Sequence, residues 1–416
     1  MEHRHRRIVR IMVIMTTILA GVVLSTVRAG QIPYQSTDTT PAVAYTDPTL
    51  AQARQGNRGN TDEQPQKIPS PDVTLPMRRG AEQWTKTVGG TLRQSQLWNF
   101  QQVYRLKAQV IIPRGVTLTI DAGTLVEVQD AVTTAFAVQE GGSLIIRGAS
   151  NNYVSIVGAS STTAGSVAVQ VSGGTFTANG AHIVGFERAV QLTAAGGATE
   201  IEGSNLEGSI VAPYPISMRD TILQPQGGYP YAVDLRNNSD VSGFALGGPH
   251  ANILTGEASR RVVAVGSAEI PQGREWLIDS SSRAVLYSDG GLEVAGSLTM
   301  KGGTFLKATQ SYALIAREGS QVILAGDADN PVYISSFRDD TLAGDSNDDG
   351  LSQGSDGDYA SAWYEGAGAK IQAQHVRIQY AQSCASQAAD NTESSLADVS
   401  CHAAPEAAAS STTSNL

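Results

Sequence analysis

The sequence predicts an all-β chain wound as a parallel β-helix. Three observations carry this: closely spaced β-rich runs punctuated by glycine, no helix-length amphipathic stripe, and an internal repeat at a separation of about 180 residues. Composition agrees, since 43 glycines and only 16% charged residues among 416 favour turns and strands over helices.

The first thirty residues read as an export signal. Arg4, Arg6, Arg7 and Arg10 form a basic start, Ile11 to Val27 an apolar run, and Val27-Arg28-Ala29 a small-residue cleavage site, so residues 1–29 are expected to be a signal peptide removed after Ala29. The apolar run is nearly long enough to span a bilayer, and an uncleaved membrane anchor is the alternative. No Cys follows it, which argues against a lipoprotein anchor. Both readings place the rest of the chain outside the cytoplasmic membrane, extracellular or at the cell surface.

Residues 30–85 hold seven of the sixteen prolines and almost no apolar periodicity. Such a stretch buries too little to offset its ordering entropy, and a disordered linker is expected. Residues 383–416, mostly Ala, Ser and Thr, read as a low-complexity tail. Its two cysteines, Cys384 and Cys401, would pair in an oxidising space or remain free thiols, and His402 alone beside them makes no metal site.

Between the ends, residues 86–382 carry the strands. Val116-Thr117-Leu118-Thr119-Ile120, Thr124-Leu125-Val126-Glu127-Val128 and Ser143-Leu144-Ile145-Ile146 are examples. The run from Thr117 to Glu127 matches Ser297 to Lys307 position by position. A second run, Glu140 to Gly148 with Asn152 and Ile156, matches Glu318 to Gly326 with Asn330 and Ile334. Two related halves follow, about 86–253 and 254–382. Coils of about 20–25 residues would stack one such strand on the next and bury the alternate Val, Ile and Leu in a continuous column. A β-sandwich would need hairpin turns of the Asn-Gly kind, and these are scarce.

Formal net charge is −10, yet Asp339, Asp340, Asp345, Asp348, Asp349, Asp356 and Asp358 lie in one stretch without a Lys or Arg among them. The acidity is local. No basic stripe points to nucleic acid.

These residues resemble the right-handed, single-stranded parallel β-helix repeat of bacterial surface and secreted proteins in the pectate-lyase-like superfamily. The resemblance rests on Val110 to Thr124, on Gly141-Gly142-Ser143-Leu144 with a closing Gly148, and again on Gly326 to Ile334, Ser335 to Asp340 and His375 to Ala381. It implies a solenoid fold and a secreted or surface-displayed protein. The wider superfamily contains polysaccharide lyases and hydrolases, so that activity is the alternative to a structural or adhesin-like binding module. The partner implied is a polysaccharide or a surface protein.

The most specific motif is Asp345-Ser346-Asn347-Asp348-Asp349-Gly350 with Asp356 closing a twelve-residue loop, similar to the calcium loops of dockerins and thrombospondin-type repeats. Hard cations take oxygen ligands at alternating positions, with Gly sixth for the sharp turn. Asp345, Asn347 and Asp349 would supply side-chain oxygens, Leu351 its carbonyl, Gln353 a water and Asp356 the last carboxylate. A solvated acidic loop without Ca²⁺ is the plainer reading.

Relative to the first half, about sixteen residues are gained between Ile334 and Tyr380, where this loop lies. For catalysis, Asp339-Asp340 is the only tempting pair and Arg338 the only candidate base, while one Arg beside Asp is more often a salt bridge; no catalytic residue is assigned. His182 and His375 are expected at solvent or in a turn. Tyr214, Tyr229 and Tyr231 lie on a loop that either offers rings for stacking or covers a coil.

Overall fold

A computed structural model describes residues 84–149, 151–158, 164–226, 228–387 and 394–403. The expected signal peptide and linker lie outside these, apart from the last residues of the linker.

Strand alternation fixes the architecture. In Thr117–Asp121 the side chains of Leu118 and Ile120 are fully buried while Thr117, Thr119 and Asp121 are not, the period of two that a half-buried strand requires. Each strand pairs in parallel with its counterpart in neighbouring coils. One inward column can be followed by register through Val110, Phe136, Val169, Val190, Ile210, Val233, Val263, Leu286, Leu306, Ile334 and Ile378 to Cys401. A second runs from Trp98 through Ile120, Ile146, Ala178, Ile201 and Met218 to Phe244. These columns are the core, and they place equivalent side chains of successive coils at the strand spacing of about 4.8 Å. No α-helix occurs among the described residues; the only helical turns there are the 3₁₀ segments Ala258–Arg261 and Ser280–Ser282.

The repeat is structural as well as sequential. Thr117–Asp121 and Leu125–Val128 correspond to Ser297–Lys301 and Phe305–Ala308, and Ser143–Arg147 to Gln321–Ala325. The gained residues lie where the motif is: Val332–Ser336 is followed by a strand only at Tyr359, whereas Val154–Val157 is followed by one at Val167.

Three boundaries differ from expectation. The first strand is Trp84–Thr91, so the solenoid begins before residue 86. The division at 253 and 254 falls inside the strand Ile253–Leu254, which stacks on Ile222–Leu223. The solenoid also does not end at 382: Lys370–Gln387 is continuous, and Ser395–Ala403 pairs with it in parallel as one more rung. Small residues hid this rung, because backbone pairing on a preformed edge needs little apolar side chain. Cys384 and Cys401 are joined as a disulfide across these last strands, with Cα atoms 6.0 Å apart.

One residue along from the Val110 to Ile378 column, the register runs Asp234, Ala264, Tyr287, Lys307, Ser335. Neighbours in a strand face opposite ways, so this row points out of the solenoid. It is nevertheless buried. Two excursions of the chain cover it, residues 224–231 and 337–358: Tyr231 of the first and Phe337 of the second pack against Ala264 and Tyr287, and residues 337–358 also close around Lys307.

Candidate acidic loop and aromatic spine

The loop 337–358 is built around Lys307. This side chain is 1% exposed, and its ammonium donates to the carbonyls of Asp339 at 2.7 Å and Gly344 at 3.2 Å and to the Ser346 hydroxyl at 2.7 Å. Burial pushes its pKa down to about 8, while the carboxylates of Asp339, Asp340 and Asp345 oppose that shift. Asp339 is fully buried and accepts from the hydroxyls of Ser335 and Thr341 and from the Thr341 N–H.

The loop's outer side gathers carboxylates. Asp345 accepts from the N–H of Asp348 at 2.7 Å and of Gly350 at 3.1 Å, and Gly350 takes φ +90°, the left-handed turn foreseen for the sixth position. The Asn347 amide donates to Asp349 at 2.8 Å. Asp340, 8% exposed, accepts from the Ser352 N–H at 2.7 Å and its hydroxyl at 3.0 Å, both on one oxygen. One carboxylate oxygen from each of Asp340, Asp345 and Asp349 lies within 4.8 Å of the others. All the donors are oxygens, the set a hard divalent cation takes.

Of the six expected ligands, Asp345, Asn347 and Asp349 come together. Asp356 is exposed and stands outside the three-carboxylate group, Gln353 is exposed, and the Leu351 side chain is 96% exposed. Asp340, which the spacing did not single out as a ligand, joins Asp345 and Asp349 in the carboxylate group. Its signal in the sequence was only its position after the strand that ends at Ser336. Arg338 is exposed, with its guanidinium 3.8 Å from Asp358, the salt-bridge role rather than a cleft position. His375 contacts Asp398 and His250 lies 2.9 Å from Asp220. His182 differs from expectation, being half-buried beside Tyr153 with its pKa lowered by burial.

The tyrosine loop covers the coil. Tyr231 stacks on Tyr287 at 5.7 Å, and Tyr287 stacks on Phe337 at 3.8 Å, forming with Ala264 and Val262 a second small apolar cluster outside the solenoid. Tyr229 donates its hydroxyl to Asp234 at 2.7 Å, and burial together with that bond raises its pKa to about 12. The Arg188 and Arg236 guanidinium groups lie 5.1 and 4.8 Å from the Tyr229 and Tyr231 ring centres. Arg236 also bridges Asp234 and Asp289, at 2.8 and 3.2 Å, and with them helps to line an open groove of about 560 Å³, beside Val211, Pro213 and Ser267 among others.

Residues 90–202 match the family model described as the pectate-lyase like beta helix domain. No curated protein and no solved structure matches the chain. The stacked parallel strands show a parallel β-helix, and over residues 90–202 the chain is similar to the pectate-lyase like beta helix domain.

Proposed function

We propose that the chain is an exported β-helical scaffold, acting as an adhesin-like binding module at the cell surface or in the extracellular space, with an acidic loop stiffened by calcium. The basic and apolar leader supports export, and a Cys384–Cys401 disulfide suits an oxidising compartment. The observation that carries the reading is continuity: Phe337 opens the acidic loop, stacks on Tyr287 and through it on Tyr231, and Arg236 over Tyr231 lines the groove. A cation that orders the loop therefore supports the groove wall from behind. The groove's ion-paired carboxylates and guanidinium suit a polyhydroxylated or polar partner, a polysaccharide or a surface protein.

The test is retention of the exported protein on a panel of neutral and acidic polysaccharides in millimolar calcium, beside Arg236→Ala and with product analysis of the same mixtures. Retention without released oligosaccharide, weakened at least tenfold in Arg236→Ala, supports the module. Released oligosaccharide from polygalacturonate or alginate replaces it with a lyase or hydrolase, and no retention on any polymer removes the polysaccharide partner.

A further inference from the structure

We infer that the loop's cation is held by Asp340, Asp345 and Asp349 with the Asn347 carbonyl, so that the closing carboxylate comes from the solenoid side and not from Asp356. This rests on the calcium reading above and changes which part of the molecule the cation ties to which.

Two acceptors are left over in the loop. The second oxygen of Asp340, on a side chain more than nine-tenths buried, has no hydrogen-bond donor, and neither does the buried carbonyl oxygen of Asn347. Buried acceptors without donors are rare, and each calls for a particular cause. Lys307 is not available to either. Its ammonium has three N–H groups, and they are engaged by Asp339, Gly344 and Ser346. Ser352 serves the other oxygen of Asp340 and also reaches Asp349, at 3.2 Å. Ionised carboxylates accept and do not donate, so Asp340, Asp345 and Asp349 cannot satisfy one another, and with oxygens within 4.8 Å they repel. One divalent cation among them answers both the orphaned acceptors and the repulsion.

The turn is already shaped for this. Asp345 is fixed by two backbone N–H groups, and Asn347 turns its amide toward Asp349, which leaves the carbonyl end free to coordinate. Asp340 lies in the buried base of the excursion, shortly after the strand end at Ser336, and Asp345 and Asp349 lie in its outer part, so the cation joins the outer loop to the base that packs on the solenoid. A loop closed by the exposed Asp356 would leave that base out of the site. Lys307 holds the inner side without the cation, so the ion adds local order and does not decide whether the chain folds.

The experiment is calorimetric titration with CaCl₂, together with thermal unfolding, on the full exported chain and on Asp340→Asn, Asp345→Asn and Asp356→Asn. Expected are a wild-type Kd of about 10⁻⁴ to 10⁻³ M, at least a tenfold loss in the first two variants, and less than twofold change in Asp356→Asn. Asp356 is exposed, so that variant folds and decides by itself even if Asp340→Asn does not. Loss in Asp356→Asn with calcium binding kept in Asp340→Asn overturns the ligand set and leaves the calcium reading standing. A wild-type protein silent to 10-fold above the upper Kd of about 10⁻³ M overturns both.

Discussion

The Lys307 ammonium lies 2.7 Å from the Ser346 hydroxyl, thirty-nine residues further along the chain, and this contact pins the acidic loop to the outer face of the solenoid. Lys307→Met would remove the donor from Ser346 and from the Asp339 and Gly344 carbonyls, and with it a charge facing three carboxylates. Each buried acceptor left without its donor costs about 1–3 kcal/mol, and three would lose theirs. The ammonium's own burial, visible in a pKa of about 8, offsets part of this. We expect a net loss of about 1–3 kcal/mol in denaturant unfolding, with faster amide exchange confined to residues 337–358. A variant equal to wild type in both measurements would show that the loop is held by other contacts.

The Cys384–Cys401 disulfide closes the last rung. In a solenoid each coil touches only its neighbours, so opening this bond acts locally. Chain-entropy arguments give roughly 3 kcal/mol for a loop of this size. Reduction, or Cys384→Ser, should expose the amides of Ser395–Ala403 to exchange while the Val110 to Leu306 column stays protected. Loss of protection along the whole column on reduction would show that the terminal rung is a cap on which the rest depends.

The fold was legible because its physics is local and repeated. Alternation in Thr117–Asp121, glycine at turns and the match of Ser297 to Lys307 all point to one stacked architecture. The site was legible only in part. Asp345, Asn347, Asp349 and Gly350 announce themselves by spacing, but the burial of Lys307 does not. In the repeat Lys307 aligns with Glu127, which remains half-exposed and pairs with Arg105 at 2.8 Å. The same outward position is solvated in one half and buried in the other because only the second half carries the loop that covers it. Asp340 escaped for a related reason: its role depends on how the loop folds back, and no spacing rule encodes that. The tyrosines of the 224–231 loop were visible, whereas their partners Tyr287 and Phe337 are separated from them by 56 residues or more and meet them only through coil stacking.

His182 gives the solenoid a response to acid. Burial beside Tyr153 holds its pKa below the ordinary histidine value, so the unfolded chain binds a proton more readily than the native one. The stability this provides is fully present above pH of about 6.5 and falls as pH drops from there toward the lowered native pKa. Thermal midpoints of wild type and His182→Gln, measured from pH 7.5 to pH 5, should converge or cross on acidification, with the variant losing less. Parallel curves would assign the acid response to the carboxylates alone.

The last prediction concerns how closely the coils approach. Gly148 and Gly326 occupy equivalent places in the two repeats, each just past the strand that ends at Arg147 or Ala325. A Cβ at Gly148 would meet the Gly180 carbonyl oxygen at 2.0 Å, and one at Gly326 the His375 carbonyl oxygen at 2.3 Å. Both obstacles are backbone of the next coil, which cannot swing aside as a side chain would. Relief requires moving one coil against its neighbour, straining the parallel bonds between Ser143–Arg147 and Thr175–Asn179 in the first half and between Gln321–Ala325 and Lys370–Gln387 in the second. Overpacking by one methyl in a close-packed interior costs about 1–3 kcal/mol, and a backbone obstacle belongs at the upper end. Gly148→Ala and Gly326→Ala should therefore each lower the unfolding midpoint, and the double variant should show nearly additive loss because the two sites lie in different coils. An alanine at either position that leaves the midpoint unchanged would mean that the coils stand further apart there than this packing requires.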